Sequence, residues 1–411
     1  MRILVQKFGG TSVATAKKRQ VAVRRIEEAI ANGFTPVVVV SAMGRRGDPY
    51  ATDTLIDLIQ KIDPDVAPRE LDLLVSCGET ISAVVMAGTL HQAGVGNTVV
   101  LTGGQAGIIT DRNYGNARIL RVEPEHIRRH LDRGDLVIVT GFQGISESND
   151  LTTLGRGGSD TTAAALGVAL RAEIVEIYTD VDGVMTADPR IVPQAQKIRQ
   201  TCYEELLQMA NQGAKIVHHR AIELAMRANL PLRIRNTFSD DEGTWVAHHY
   251  EERASFSSGR TVTAITHMPA RALITVQRQQ GNERPIGNTS IFRPLADANI
   301  SLDLFNLSPQ QTSFTIHVAH SERVRAILEN MGVHVSVIAN CAKISAIGVG
   351  MHNQPGVMAN LVEALEKRNI EILQTTDSNV TISCLVREAD MNAAVQALHE
   401  QFGLHECEGL N

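Results

Sequence analysis

Residues 151–167 read LTTLGRGGSDTTAAALG, which places polar groups directly before an apolar, alanine-rich helix. The backbone can approach a ligand closely here because three glycines surround Arg156, namely Gly155, Gly157 and Gly158. Ser159 or Asp160 is expected to cap the helix, whose free N–H groups and partial positive charge suit an anionic ligand. A plain turn with an ordinary N-cap would have the same pattern, so the rest of the chain has to decide.

Size and charge limit the class of protein. The chain has 411 residues, of which 43% are hydrophobic, so it can bury large cores in two or three domains. Its 39 basic and 45 acidic residues leave a net charge of −6, which gives no general attraction to nucleic acid or anionic membranes. We expect a globular protein that binds neither nucleic acid nor a membrane.

The cysteines and histidines predict neither disulfides nor a metal centre in the protein. Five cysteines are scattered without a C-x-x-C pair. The pairs His218-His219 and His248-His249 have no further ligand groups at metal spacing, so surface histidines are favoured. No apolar run approaches the roughly 20 residues of a membrane helix, and the first residues resemble a strand rather than a signal peptide. These features favour a cytoplasmic location.

The first 235 residues alternate between strand and helix patterns. Ile3–Phe8 is a predicted buried strand that ends at Gly9-Gly10, and Thr11 or Ser12 is expected to cap the next helix. The β-branched run from Pro36 to Ala42 lacks alternation, which is typical of a strand covered on both faces of a mostly parallel sheet. Further strands are predicted at 98–101, 136–139, 173–179 and 231–235.

Several of these strands end in glycine-bearing loops, which predicts a small-molecule site along one sheet edge. A helix is predicted from Arg69 to Ala93 and carries Glu79 among apolar residues, where a carboxylate needs a partner or a function. A second helical stretch is predicted from Cys202 to Ala228, with Gly213 inside it. The chain contains no P-loop, and neither Gly155-x-Gly157 nor Asp180-x-Asp182-Gly183 completes a dinucleotide or EF-hand motif.

The composition changes to Ser, Asp, Glu, His and Gly after residue 238, which predicts a linker at 239–260 after a first domain at 1–238. Beyond it the sequence repeats with an offset of 70, and each copy has a β-α-β-β-α-β pattern, predicting ferredoxin-like domains at 261–337 and 338–411. The coincident positions are Pro285/Pro355, Leu295/Leu365, Asn299/Asn369, Ile300/Ile370, Leu302/Ile372 and Leu328/Leu398. These copies contain no catalytic cluster, which favours a sensing or assembly role.

Motifs along the whole chain, in order, resemble those of the aspartate kinase family. They are Lys7-Phe-Gly-Gly-Thr-Ser12, Ser41-Ala-Met-Gly44, Gly78-Glu79, Gly115-Asn-Ala-Arg118, Thr153-Leu-Gly-Arg-Gly-Gly-Ser-Asp160, Tyr178-Thr-Asp180 and Thr186-Ala-Asp-Pro-Arg190. The resemblance implies the α/β amino-acid kinase fold, a three-layer sandwich with a mostly parallel sheet, followed by two regulatory ACT domains. It also implies transfer of the ATP γ-phosphoryl group to the side-chain carboxylate of L-aspartate, giving 4-phospho-L-aspartate.

The resemblance implies roles for individual residues. Lys7 would contact the transferring phosphoryl group and Asp160 would organise the phosphate-binding lysines and the metal. Arg156 would hold the α-carboxylate of aspartate, and Glu79 would receive its ammonium. Further expected substrate contacts are Ser41, Thr52, Asn116, Arg118, Gly158 and Ser159. The expected ATP site, with Mg²⁺ bridging phosphates rather than held in a protein cage, comprises Lys7, Phe8, Gly9, Gly10, Thr179, Asp180, Met185, Asp188, Arg190 and Lys215.

Some positions depart from the family pattern. His219 stands where a proline usually precedes Arg220, and the first repeat has Pro285-Ile-Gly287 rather than Pro-Gly. The loop Gly47–Asp53 and the segment Thr375–Ser383 resemble most the diaminopimelate-sensitive isozyme, while the effector itself stays open among diaminopimelate, lysine and threonine. No methionine lies between Met226 and Met268, so we expect a homo-oligomer of whole chains rather than a separately started regulatory subunit.

Two other interpretations remain open on the sequence. The same fold serves acetylglutamate, carbamate or glutamate kinases, although those relatives lack paired repeats of this kind. A dead kinase that only senses amino acids would bind an effector without turning over ATP, although the intact Lys7 and Asp160 oppose that alternative.

Overall fold

The computed structural model describes residues 1–214, 216–248, 261–277, 287–351 and 354–406. The chain forms two compact units. Unit 1 contains Met1–Val184, Lys197–Ala210 and the described residues of Lys215–Ala254, and unit 2 contains Met185–Gln196, Asn211–Ala214 and the described residues of Ser255–Asn411. Two short pieces of the N-terminal sequence thus belong to unit 2, which the predicted domain bounds did not anticipate.

Two sheets form the framework of unit 1. Its strands are β1 (Ile3–Phe8), β2 (Thr35–Val40), β3 (Thr98–Leu101), β4 (Ile108–Thr110), β5 (Ile119–Val122), β6 (Leu136–Thr140), β7 (Gln143–Ser146), β8 (Leu151–Thr153), β9 (Ile174–Thr179), β10 (Gln200–Cys202), β11 (Leu232–Asn236) and β12 (Thr244–Ala247). The large sheet has the order β10-β12-β11-β9-β1-β2-β6-β3, and among its pairs only β11–β12 is antiparallel. The small sheet has the order β5-β4-β7-β8. The strand predictions at 3–8, 36–42, 98–101, 136–139, 173–179 and 231–235 are confirmed to within two residues.

Helices cover both faces of the large sheet, giving the predicted three-layer sandwich. They are α1 (Gly10–Val13), α2 (Ala16–Ala31), α3 (Thr52–Gln60), α4 (Pro68–Gln92), α5 (Glu125–Leu131), α6 (Gly158–Leu170), α7 (Tyr203–Asn211) and α8 (His219–Arg227). Apolar residues of α2 and α4 share a core with Val38, Val40 and Tyr178. Helix α6 packs on β1, β2 and β9, with α8 against it.

Helix α4 is long and apolar enough to cross a membrane by length and composition. The expectation that no segment reaches this length was therefore wrong. In the structure α4 packs against α2, β3, β6 and β8, and it buries the carboxylates of Asp72 and Glu79. These contacts are those of a core helix in a globular domain.

Local predictions failed where a tertiary contact changed the helix ends. Thr15, and neither Thr11 nor Ser12, caps α2, because the Ser12 hydroxyl pairs with that of Thr237 at 2.7 Å. Helix α6 begins after Gly157, whose φ of 69° starts the helix without a side-chain cap. Ser159 and Asp160 lie inside its first turn, so the expected cap at these residues was wrong.

Two longer segments also differ from prediction. The stretch 202–228 is two helices rather than one, because α7 ends at Asn211 and the φ of +108° at Gly213 is incompatible with an α-helix. The predicted linker 239–260 contains β12, which pairs with β10 and β11. Four residues flanked by acidic and small side chains are too short a pattern to identify as a strand.

Unit 2 contains one continuous six-stranded sheet. Its elements are β13 (Ala264–Gln277), α9 (Asn288–Asp297), β14 (Asp303–Leu307), β15 (Gln311–His317), α10 (Ser321–Glu329), β16 (His334–Ile347), α11 (Val357–Glu366), β17 (Gln374–Asp377), β18 (Thr381–Arg387) and α12 (Met391–Gln401). Short 3-10 turns lie at Val318–His320, Val349–Met351 and Glu388–Asp390. The strand order is β14-β15-β13-β16-β18-β17.

The two repeats complete each other's sheets. Strands β13 and β16 each serve both copies, and they pair antiparallel over their whole length, interrupted by register shifts near residue 270. The second copy takes Ala264–Met268 as its fourth strand. The described residues after α12, which end at residue 406, contain no strand, and the rest of the expected final strand lies outside the described residues. The predicted boundary at 337/338 falls inside β16, because the strand bends at a bulge instead of ending. Ala270 and Asn340, also 70 residues apart, both have positive φ at these bends.

The 70-residue repeat has a physical basis in the cores. The matched pairs Leu295/Leu365, Ile300/Ile370 and Leu328/Leu398 are all buried. Asn299 and Asn369 have φ of 56° and 54° and end α9 and α11 in the same way. Pro285 lies outside the described residues. The four described cysteines are free, and Cys407 is also outside the described residues.

Candidate active site

The carboxyl ends of four adjacent parallel strands meet at one edge of the large sheet. Strand β1 leads to Gly9-Gly10, β2 to Ser41, β6 to Gly141 and β9 to Asp180. Backbone bonds lock these loops together: the Gly9 N–H donates to the Tyr178 carbonyl at 3.1 Å, and the Ser41 N–H donates to the Phe8 carbonyl at 3.1 Å. The start of α6 reaches the same edge, since a Cβ on Gly141 would lie 2.6 Å from the Ser159 hydroxyl.

An ion pair lies at the start of α6. The Lys7 ammonium is 2.7 Å from Asp160 Oδ1, and both side chains are about nine-tenths buried. The second oxygen, Asp160 Oδ2, accepts the backbone N–H of His218 at 3.2 Å. Burial lowers the pKa of His218 from its ordinary value of 6.5, with His219 the next cause. The pair therefore sits beside the backbone of His218, with its lysine held beside the Gly9 loop.

Glu79 occupies the most unusual electrostatic position in this region. Its Oε1 accepts the Ala42 N–H at 3.0 Å, while its Oε2 is buried without a hydrogen-bond partner among the described residues. Burial raises its pKa from 4.5 to about 8, an effect that the Ala42 hydrogen bond only partly offsets. An unsatisfied buried oxygen of this kind is suited to a cationic ligand that enters beside Ser41.

The predicted substrate arginines are free to bind a ligand. Arg118 and Arg156 are exposed, and neither forms an ion pair with the described residues. Their loops contact each other, because the Ala117 N–H donates to the Thr153 carbonyl at 2.8 Å. Gly155, with a φ of +74°, fits closely against Asn116, and a Cβ there would lie 2.9 Å from the Asn116 amide oxygen.

The sequence did not identify two charged residues that hold these loops. Asp72 on α4 is buried and accepts hydrogen bonds from Gly115 and Thr153. Arg220 on α8 donates to the loops around Asn116 and Leu154. Asp72 belongs to no motif that the sequence shows, and Arg220 stands out in the sequence only as the arginine that follows His219, so only the folded chain reveals that both residues hold these loops. His219 takes the first position of α8, where the family usually has a proline, and its ring is tilted by 34° against that of His218 with the centroids 4.2 Å apart.

The remaining predicted site residues are distributed between the two units. Phe8 stacks on Tyr178 at 4.8 Å, and Thr52 begins α3, which packs against α4. Gly158 begins α6, and Thr179 ends β9 beside Asp180, which pairs with exposed Arg45 at 2.6 Å. Met185, Asp188 and Arg190 belong to unit 2, where Asp188 binds Arg190 at 2.6 Å. Lys215 lies outside the described residues.

Known proteins match this chain over nearly its whole length. The amino acid kinase family matches residues 2–236, and the ACT domain matches residues 336–400. Aspartokinase 1 of Bacillus subtilis strain 168 is 47% identical over 405 residues, which are 98% of this chain and 100% of that protein. The chain belongs to the aspartokinase family. It is therefore an ATP-dependent kinase that phosphorylates aspartate.

Solved structures of aspartokinases share the fold. E. coli aspartokinase III in complex with aspartate and ADP, described as the R-state, has a TM-score of 0.77 at 25% identity, covering 97% of this chain and 99% of that one. The same enzyme in complex with lysine and aspartate, described as the T-state, has a TM-score of 0.72 with the same identity and coverage. The predicted α/β fold with C-terminal ACT repeats is thus confirmed.

Proposed function

We propose that the edge of the large sheet around Lys7, Glu79 and Asp160 is where this kinase phosphorylates the β-carboxylate of L-aspartate. The observation that carries the proposal is the buried Glu79 carboxylate with its open Oε2 and a pKa of about 8. Free aspartate brings an ammonium group that would satisfy this oxygen. An N-acylated substrate such as acetylglutamate has no such cation, and Glu79 would stay unsatisfied.

Phosphoryl transfer between two anions requires positioning and charge neutralisation rather than a covalent intermediate. Lys7 would neutralise the transferring phosphoryl group, and the Gly9-Gly10 backbone would approach it closely. Asp160 would keep the Lys7 ammonium in place through their 2.7 Å contact. Ser159 and Gly158, in the first turn of α6, would direct N–H groups toward negative charge.

We infer that Mg²⁺ enters with the nucleotide. The described residues contain no group of three His, Cys, Asp or Glu side chains able to hold a metal ion. Mg²⁺ keeps several waters and commonly binds through phosphates plus one or two carboxylates, and Asp160 would be the carboxylate nearest the phosphates. When bound, the ion would supply charge neutralisation at the ATP phosphates.

On the substrate side, Arg156 would bind the α-carboxylate of aspartate, and Arg118 with Asn116 would line the same pocket. Ser41 and Thr52 are the further proposed contacts. For the nucleotide, Phe8, Thr179, Asp180, Met185, Asp188, Arg190 and Lys215 remain proposed on the resemblance to the family.

The assignment is tested by trapping the acyl phosphate with hydroxylamine in the presence of ATP. Aspartate should give hydroxamate, and N-acetylglutamate and glutamate should not. Glu79→Gln should raise the KM for aspartate while leaving the KM for ATP within about twofold. An aspartate KM that is unchanged in Glu79→Gln would remove Glu79 from ammonium binding.

We also propose that an amino-acid end product binds at the ACT repeats and shifts an equilibrium between active and inactive states. Support comes from the fused six-stranded sheet, which contains no catalytic cluster, and from the lysine complex of the E. coli relative. We propose a cytoplasmic homo-oligomer joined through these repeats. Titrating activity with meso-diaminopimelate, lysine and threonine would identify the effector, and no response to any of them would contradict the regulatory role.

A further inference from the structure

Two charged residues outside the proposed substrate contacts connect the loops that carry Arg118 and Arg156. Asp72 lies inside α4, with 1% of its surface exposed. Both of its carboxylate oxygens lie 3.0 Å from the Gly115 nitrogen. Oδ2 also accepts the Thr153 N–H at 2.8 Å, and Oδ1 accepts the Thr153 hydroxyl at 2.7 Å. One anion thus fixes the backbone of the 115–118 loop and the strand that precedes Arg156.

Arg220 fixes the same two loops from α8. Its Nη2 donates to the Asn116 amide oxygen at 2.8 Å, and its Nη1 donates to the Leu154 carbonyl at 3.2 Å. The Nη1 group also reaches the Ala117 carbonyl at 3.5 Å. Its guanidinium has no carboxylate partner among the described residues, so all of these contacts are to neutral oxygens.

The hydrogen bonds of Asp72 require a carboxylate to be removed from water, and they hold the loops proposed to bind the substrate. Burial raises the pKa of Asp72 above its usual value despite the hydrogen bonds from Thr153 and Gly115. A buried carboxylate that holds two surface loops does little for a hydrophobic core. Its position is explained if the loops must keep a fixed geometry, because misplacing a substrate-binding group by about 1 Å can reduce the rate about 100-fold.

We propose that Asp72 and Arg220 are positioning residues that set the aspartate affinity by holding the Arg118 and Arg156 loops in register. The proposal rests on the proposed function in that Arg156 binds the substrate carboxylate. Neither positioning residue touches the reacting atoms. Arg220 binds the carbonyl of Leu154, two residues before Arg156, and the Arg156 guanidinium itself stays exposed and can bind the ligand.

The test compares Arg220→Ala, Arg220→Lys and Asp72→Asn in the full-length enzyme. Removing hydrogen bonds made by a charged group commonly changes an equilibrium by roughly tenfold or more, so we expect the KM for aspartate to rise at least that far. The KM for ATP should stay within about twofold. Arg220→Lys keeps the charge and should retain part of the affinity. Arg227→Ala and Glu70→Gln, exposed changes on the same two helices, serve as matched controls.

A double-mutant cycle separates this proposal from the role given to Arg156. If Arg220 acts through Arg156, then Arg220→Ala should have little further effect on the aspartate KM once Arg156 has become Ala. An Arg156→Ala enzyme with wild-type aspartate KM would overturn the proposed function. A raised KM in Arg156→Ala with wild-type KM in Arg220→Ala and Asp72→Asn would overturn only the positioning role. Equal increases in the KM for aspartate and for ATP would also overturn it, because general loosening of the fold would explain them.

Discussion

Glu79 predicts a specific pH dependence of aspartate binding. In the substrate-free enzyme its pKa is about 8 rather than 4.5, because the side chain is buried with one oxygen unpartnered. At 1.36 kcal/mol per pKa unit, keeping the carboxylate ionised in the empty site costs about 5 kcal/mol relative to water. Aspartate brings an ammonium that needs the ionised form, so binding expels the proton that Glu79 holds at neutral pH.

The size of the effect follows from the fraction of Glu79 that is already ionised. That fraction is ~3% at pH 6.5 and ~75% at pH 8.5 for a pKa of about 8. The KM for aspartate should therefore fall by up to about 25-fold between these pH values and then level off.

The assay is the initial rate of hydroxamate formation at saturating ATP, measured against aspartate from pH 6.5 to pH 8.5. Glu79→Gln should raise the KM and remove its pH dependence, while Glu70→Gln on the exposed face of α4 should keep both. A wild-type KM that is flat over this range, or a slope that persists in Glu79→Gln, would refute the reasoning.

The same group affects stability with a defined sign. A raised folded-state pKa means that the stability Glu79 contributes is complete below about pH 4.5 and is lost as pH rises through about 8. Glu79→Gln should therefore raise the Tm of the substrate-free enzyme at pH 9 more than at pH 6. A larger increase in the Tm of Glu79→Gln at pH 6 than at pH 9 would contradict the raised pKa of the buried Glu79 carboxyl group.

Two further substitutions test the edge of the large sheet. Lys7→Ala should lower kcat by ~100-fold or more if the Lys7 ammonium stabilises the transition state. Lys17→Ala, at an exposed lysine, is the control, and an unchanged kcat in Lys7→Ala would remove Lys7 from the mechanism. Gly157→Ala should destabilise the fold by about 2–4 kcal/mol in denaturant titrations, because φ is +69° and a Cβ would overlap the His218 ring. Gly94 also has a positive φ, of +77°, but a Cβ there would meet no atom within 4 Å, so Gly94→Ala should lower the stability by only about 1–2 kcal/mol. Equal losses of stability in the two variants would exclude the His218 contact as the cause.

The sequence by itself determined the parts that depend on local pattern. The valine run of β2 and the strand-glycine transition of β1 specify buried parallel strands, because each side chain must be apolar when both faces are covered. The 70-residue repeat predicted two similar cores because matched leucines and isoleucines must be buried at equivalent positions. Glu79 was identified from its apolar helix neighbours, since an isolated carboxylate there requires an explanation.

Only the tertiary structure decided how distant segments meet. Asp72 and Arg220 are ordinary helical residues in the sequence, and their relation to the substrate loops arises because the fold brings α4 and α8 to the same pair of loops. The exchange of strands between the repeats cannot be read from the sequence either, because the pattern of β13 and β16 does not show which copy each half of the strand pairs with. For Asp160 the sequence left two roles open, a helix cap and, by the family resemblance, a contact with lysines. The structure pairs it with Lys7, 153 residues away along the chain, because an ammonium is a stronger partner than the helix N–H groups.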